Sequence, residues 1–118
     1  MPLDVKLPPQ DLEAEKSVLG ALLVDGEAIY KVADILSPES FYTKENQLVY
    51  QALQELYEQS KPLDVITTCA QLKKNKALKK AGGSSRIAEL ANEVLSSANI
   101  VAYAKIVAEI AQIGRAHV

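Results

Sequence analysis

Tryptophan is absent from these 118 residues, and cysteine, histidine and methionine occur once each. The single Cys69 excludes an intrachain disulfide, and one cysteine with one histidine leaves too few soft ligands for a structural zinc site. Catalysis by a cysteine or serine paired with histidine is excluded on the same inventory. His117 sits in the tail beyond the last apolar pattern, and Cys69 lies on an apolar stripe where a free thiol behaves as a small hydrophobe. A phosphate-binding loop of the form G-x-x-x-x-G-K-[ST] is missing. Gly82-Gly83-Ser84-Ser85 comes nearest, but no lysine follows it and no apolar strand precedes it, so it reads as a helix stop and restart. Long apolar runs are lacking too. The N-terminus carries Asp4 and Lys6 ahead of Pro8-Pro9, which fits neither a signal peptide nor a membrane span and points to a cytoplasmic protein. Positive charge is not in excess, and a net charge of −2 gives no global attraction for phosphate, so direct nucleic-acid binding is disfavoured.

What is present is ordinary for a folded domain: 48% apolar and 24% charged residues, in a length suited to one core. With aromatics at 5%, that core must come from Leu, Ile, Val and Ala, the mix that packs between helices. Residues 1–10 hold three prolines and read as an extended arm. A first helix follows over Asp11–Val24, with Leu12, Val18, Leu19, Leu22 and Leu23 on one face and Asp11, Glu13 and Glu15 at its N-terminal end. Asp25-Gly26 turns the chain into a short second helix carrying Ile29, Val32, Ala33 and Leu36, which Ser37-Pro38 interrupts. Phe41 and Tyr42 fall in the next connection, where a large ring plugs the gap between helices.

Thr43 caps a third helix in which Leu48/Val49, Ala52/Leu53 and Leu56/Tyr57 recur every four residues. Ser60-Lys61-Pro62 breaks it, and Asp64 caps a fourth with Val65, Ile66, Cys69, Ala70 and Leu72 as its stripe. Five lysines stand between Lys73 and Lys80; such a run is ordinarily a solvated helix end, with a phosphate or acidic-partner contact as the other reading. Beyond the glycines, Ile87, Leu90, Ala91, Val94 and Leu95 have the full spacing of a core-facing helix. Asn99 caps the last helix, striped by Ile100, Tyr103, Ala104, Val107, Ile110 and Ala111. The expected fold is therefore all-α, a compact orthogonal bundle of about six short helices spanning 11–111, with 112–118 a frayed tail. Glu13, Glu15, Glu89, Glu93 and Glu109 read as carboxylates of helix surfaces and first turns, so no catalytic constellation emerges.

In order along the chain, Leu7-Pro8-Pro9, Glu13-Ala14-Glu15, Val18-Leu19-Gly20-Ala21-Leu22-Leu23, Phe41-Tyr42, Lys61-Pro62-Leu63-Asp64-Val65-Ile66-Thr67, Ile87-Ala88-Glu89-Leu90-Ala91 and Ser97-Ala98-Asn99-Ile100 form a series. From Leu7 to about Ile110 it resembles the N-terminal domain of DnaB-type bacterial replicative helicases. That resemblance implies a collar head in a hexameric, ATP-dependent DNA helicase. Its partners would be the other helicase subunits and the C-terminal domain of a DnaG-type primase. ATP and Mg would belong to a separate motor domain, with no cofactor and no enzymatic activity in this segment. In the family a helical hairpin follows the last helix and pairs neighbouring subunits, so weak self-association is expected for a chain ending before it. The family's geometry makes Lys79, Lys80, Arg86, Glu89 and Glu93 a possible primase-contact surface. Arg86 is a departure, since the family often has an aromatic or small apolar residue there. The alternative from another class is a helix-turn-helix DNA-binding domain, motivated by the short helices, the lysine run and Arg86.

Overall fold

Local sequence signals set most of the helix starts, and the packing follows from which faces those helices bury. The computed structural model describes residues 11–115, the side chains through residue 112, so the expected N-terminal arm and His117 lie outside the described residues. Among the described residues there are six helices and no strand: α1 (Leu12–Val24), α2 (Ile29–Val32), α3 (Lys44–Glu58), α4 (Val65–Lys74), α5 (Gly83–Asn92) and α6 (Ile100–Arg115). Short 3-10 turns at Gly26–Ala28 and Pro38–Ser40 flank α2. The expected all-α bundle is what forms.

Asp11 starts α1 by accepting the Ala14 amide at 3.0 Å, which satisfies one of the free N–H groups of the first turn. The helix then buries Ala14, Glu15 and every residue from Val18 to Leu23. A helix apolar nearly all round belongs in the middle of a fold. Accordingly α1 packs against α3, α5 and α6 and touches α4. Gly20 makes the approach of α5 possible, because a Cβ there would run into the Leu90 carbonyl and the Val94 side chain.

Thr43 opens α3 by accepting the Asn46 amide at 3.1 Å. Its inward face, Asn46, Val49, Tyr50, Leu53 and Leu56, recurs every three to four residues. The helix stops at Ser60, in the left-handed region with φ 58°, where Lys61 N–H reaches back to the Leu56 carbonyl at 2.9 Å and Ser60 N–H to Tyr57. Asp64 and Thr67 start α4 with a reciprocal box: Thr67 N–H donates to the Asp64 carboxylate at 2.8 Å and Asp64 N–H to the Thr67 hydroxyl at 3.0 Å. α4 stops as α3 does, with Lys76 left-handed at φ 58° and Ala77 N–H on the Leu72 carbonyl at 2.8 Å. Phe41 is fully buried and stacks on Tyr50 with ring centroids 5.0 Å apart, the plug expected of it.

Three elements depart from the sequence pattern, and on α4 only Leu72 of the expected stripe is buried, with Ile66 and Ala70 exposed because the helix turns Thr68 and Gln71 inward. α5 starts at Gly83, before Ile87, and ends at Asn92 rather than carrying Val94 and Leu95 in phase. The chain unwinds after Asn92, so Val94 still packs on the core while Leu95 is 100% exposed. On α6, Ile100, Ala104 and Val107 face the core, whereas Tyr103 is 37% exposed. The helix itself continues to Arg115, past the Ala111 boundary read from the apolar spacing.

Candidate docking surface

The lysine run straddles the end of α4 and the turn that leads into α5. Lys73 and Lys74 occupy the last turn of α4, where positive charge complements the helix dipole. Lys76 holds the left-handed stop, and Lys79 and Lys80 project from the following turn; all five are exposed. Gly82 then takes φ 106°, which an L side chain rarely adopts, and a Cβ there would also strike the Arg86 side chain. That glycine lets Arg86 fold back across the start of α5.

Arg86 does not simply face outward. Its guanidinium donates to the Ala81 carbonyl at 3.2 Å and to the Asn46 side-chain oxygen. Asn46, in turn, donates through its amide nitrogen to the Glu15 carboxylate at 2.9 Å. The other Glu15 oxygen receives Tyr42 N–H at 2.9 Å. Glu15 is 1% exposed and Asn46 2%. A buried carboxylate and a guanidinium thus meet through one amide that satisfies both, which links α1, α3 and α5. The reading of Glu15 as a surface carboxylate is corrected here: the residue lies on the same stripe as Val18, Leu19 and Leu22, and burial follows from that position.

Of the five residues singled out from sequence, Arg86, Glu89 and Glu93 line one shallow groove of about 280 Å³, together with Lys16 and Ser85. Glu89 and Glu93 are exposed along it. Lys79 and Lys80 are exposed but are not part of that lining. The groove thus takes in the acidic pair and not the two lysines. Glu15 and Asn46, which hold Arg86, were missed by sequence reasoning; the available signal was a polar residue sitting on an apolar stripe in each of two helices.

The remaining polar features are structural. Glu55 accepts from Gln71 at 3.0 Å and from Asn75 at 2.7 Å, fastening α3 to the end of α4. Ser97 donates to Asp25 at 2.6 Å, closing the α5–α6 connection onto the end of α1. Burial, with a smaller push from the nearby Tyr57, raises the Tyr50 phenol to about 12. Among the described residues no cluster of three or more His, Cys, Asp or Glu is placed to hold a metal ion. No described helix is long and apolar enough to cross a membrane.

The described residues form an all-helical bundle with one buried polar network at Glu15, Asn46 and Arg86. Comparison with known proteins gives its family: residues 7–109 match the model of the DnaB-like helicase N-terminal domain, and the chain belongs to that family. It is 38% identical over 104 residues to the replicative DNA helicase DnaB of Rhodothermus marinus, covering 88% of this chain and 11% of that protein. Against the replicative DNA helicase DnaC of Bacillus subtilis it is 38% identical over 107 residues, covering 91% of this chain and 24% of that one. Among solved structures it resembles the N-terminal domain of DnaB helicase from Mycobacterium tuberculosis. The TM-score there is 0.84 at 42% identity, over 89% of this chain and 73% of that one. A structure described as a DnaB-like replicative helicase and its interactions with primase matches with TM-score 0.80 at 27% identity, over 91% of this chain and 25% of that one. The chain thus spans less than a quarter of the length of the two curated relatives it is compared with.

Proposed function

We propose that the chain serves as the collar head of a replicative DNA helicase, a non-catalytic module that contributes to ring assembly and receives the primase. The observation that carries this reading is the match along residues 7–109. Its fold is shared, at TM-score 0.80, with a helicase described together with its interactions with primase. The residue inventory supports a binding role. Its one cysteine is half-buried against the core, and the one buried carboxylate among the described residues, Glu15, accepts from Tyr42 N–H and Asn46. ATP and Mg would act in a separate motor domain of the parent helicase.

The exposed Glu89 and Glu93 on α5, with Lys79 and Lys80 before it, are the positions to test for primase contact. Arg86 is a poorer candidate, because its guanidinium is committed to Ala81 and Asn46. Calorimetric titration of the full-length helicase with the C-terminal domain of its cognate primase is the direct experiment. Saturable heat that is reduced by E89K/E93K is expected. Absence of heat with the full-length protein would overturn the reading.

A further inference from the structure

α4 leaves an apolar stripe uncovered. Ile66, Cys69, Ala70 and Lys73 fall at i, i+3, i+4 and i+7, so they share one face of the helix. Most of that face does not pack: the buried residues of α4 are Thr68, Gln71 and Leu72, and of this stripe only Cys69 is half-buried against the core. Ile66 is 80% exposed although it is one of the larger aliphatic residues of the chain. With Leu78 from the following turn and Ser84 from α5, these residues line a groove of about 380 Å³. Apart from Lys73 and Ser84 at the rim, the lining is aliphatic or thiol.

Lys73 is the one charged residue lining the groove, and every charged residue from Val65 to Ser84 is a lysine. Lys73, Lys74, Lys76, Lys79 and Lys80 are all exposed at the end of α4 and in the turn that closes the groove. The nearest acids lie outside this segment: Asp64 is engaged with Thr67, Glu55 is held by Gln71 and Asn75, the exposed Glu58 and Glu89 stand on α3 and α5, and none of the four lines the groove. Helix-dipole complementarity accounts for Lys73 and Lys74 in the last turn, but not for Lys79 and Lys80, which stand outside any helix.

We propose that this groove docks an amphipathic helix of a partner protein, aliphatic along one face and acidic along its flanks. An aliphatic anchor would enter beside Ile66 and Leu78 while carboxylates meet the lysine rim, the helix-in-groove mode of recognition. A second copy of this chain is a poor occupant, because a two-fold contact through the same face would set the lysines of one copy against those of the other. A membrane surface calls for a broad apolar helix face rather than a groove floored by small side chains around one isoleucine. Single-stranded nucleic acid would want aromatic stacking platforms, and this lining has none. The inference adds the α4 groove to the positions named for primase contact, shares Lys79 and Lys80 with them, and does not depend on which protein supplies the helix.

The test is NMR titration of the isotope-labelled chain with a synthetic helical peptide of about four turns, leucines on one face and glutamates on the flanks. An isomeric peptide with lysines in place of the glutamates, phosphatidylserine vesicles and a short DNA duplex serve as the other arms. Amide shifts confined to residues 65–84 are expected with the acidic peptide alone. Affinity should fall about tenfold or more with Ile66→Asp and fall again as salt rises. Because Ile66 and Ala70 are exposed, Ile66→Asp and Ala70→Glu should both keep the wild-type melting temperature, so a loss of binding in either reads on the groove. Equal binding of the two peptides, shifts centred away from α4, or binding of vesicles or duplex in preference to the acidic peptide would overturn the proposal.

Discussion

Asn46 holds Glu15 with its amide nitrogen at 2.9 Å and offers its carbonyl oxygen to Arg86, so one neutral side chain separates and satisfies two charges. With Glu15 at 1% exposure and Asn46 at 2%, water cannot readily replace either contact. Replacing Asn46 by Leu keeps the branched heavy-atom shape of the side chain but removes one hydrogen-bond partner from each charged group. A loss of about 2 to 3 kcal/mol in urea unfolding is expected, the usual cost of stranding buried polar groups. A loss below about 0.5 kcal/mol would mean that the network contributes little to the fold.

That network also marks where sequence reading stopped. Thr43 and Asp64 announce their helices because a cap bonds within three residues of itself, and both act as read. The stripe of α3 repeats for long enough to be unmistakable. Glu15 was different, since its partner Asn46 is 31 residues away and Arg86 reaches Asn46 across 40; no local spacing encodes such a meeting. Leu95 shows the reverse failure. Its spacing from Ile87 suits a helix, yet the chain unwinds at Asn92, and phase is lost with the backbone geometry that gave it meaning. On the surface, the exposure of Lys79, Lys80, Glu89 and Glu93 follows from their charge, but that only the two acids line the groove beside Arg86 came with the fold.

Gly20 is the tightest point between α1 and α5. Alanine is the better helix former by about 1 kcal/mol, so propensity alone predicts that Gly20→Ala stabilises. Packing predicts the opposite, because the added Cβ would meet the Leu90 backbone carbonyl, which cannot rotate away as a side-chain tip would. The steric term should win, with a net loss of about 1 to 3 kcal/mol in thermal or urea unfolding. An unchanged or higher melting temperature would show that α5 can shift at little cost.

Tyr50 couples stability to alkaline pH. Its hydroxyl is buried without a hydrogen-bond partner, and burial holds the phenol near 12 against the usual value of about 10. The folded state therefore keeps the proton where the unfolded chain gives it up. The contribution is fully present below pH 10 and is lost as pH rises from about 10 through 12, by roughly 3 kcal/mol in total. Tyr50→Phe removes the unsatisfied hydroxyl while keeping the ring that stacks on Phe41. Stability at pH 7 should be unchanged or raised by up to about 1 kcal/mol, and the alkaline loss should shrink. Unfolding curves at pH 8, 10 and 11.5 decide it, and an identical pH dependence in both proteins would remove Tyr50 as the cause.

The lysine run also bears on the helix-turn-helix alternative. Five exposed lysines could supply a local phosphate contact even though the chain carries a net charge of −2. Binding through them would be strongest at low salt and would weaken steeply as salt rises, since each neutralised phosphate releases a counterion. A gel-shift titration with a short duplex at about 50 mM salt should show no retardation of the wild-type chain, and K79E/K80E should behave identically. The same double variant should weaken the acidic helical peptide at the α4 groove, because these two exposed lysines directly follow Leu78, which lines it. Retardation at low salt that K79E/K80E abolishes would instead assign the lysines to nucleic acid.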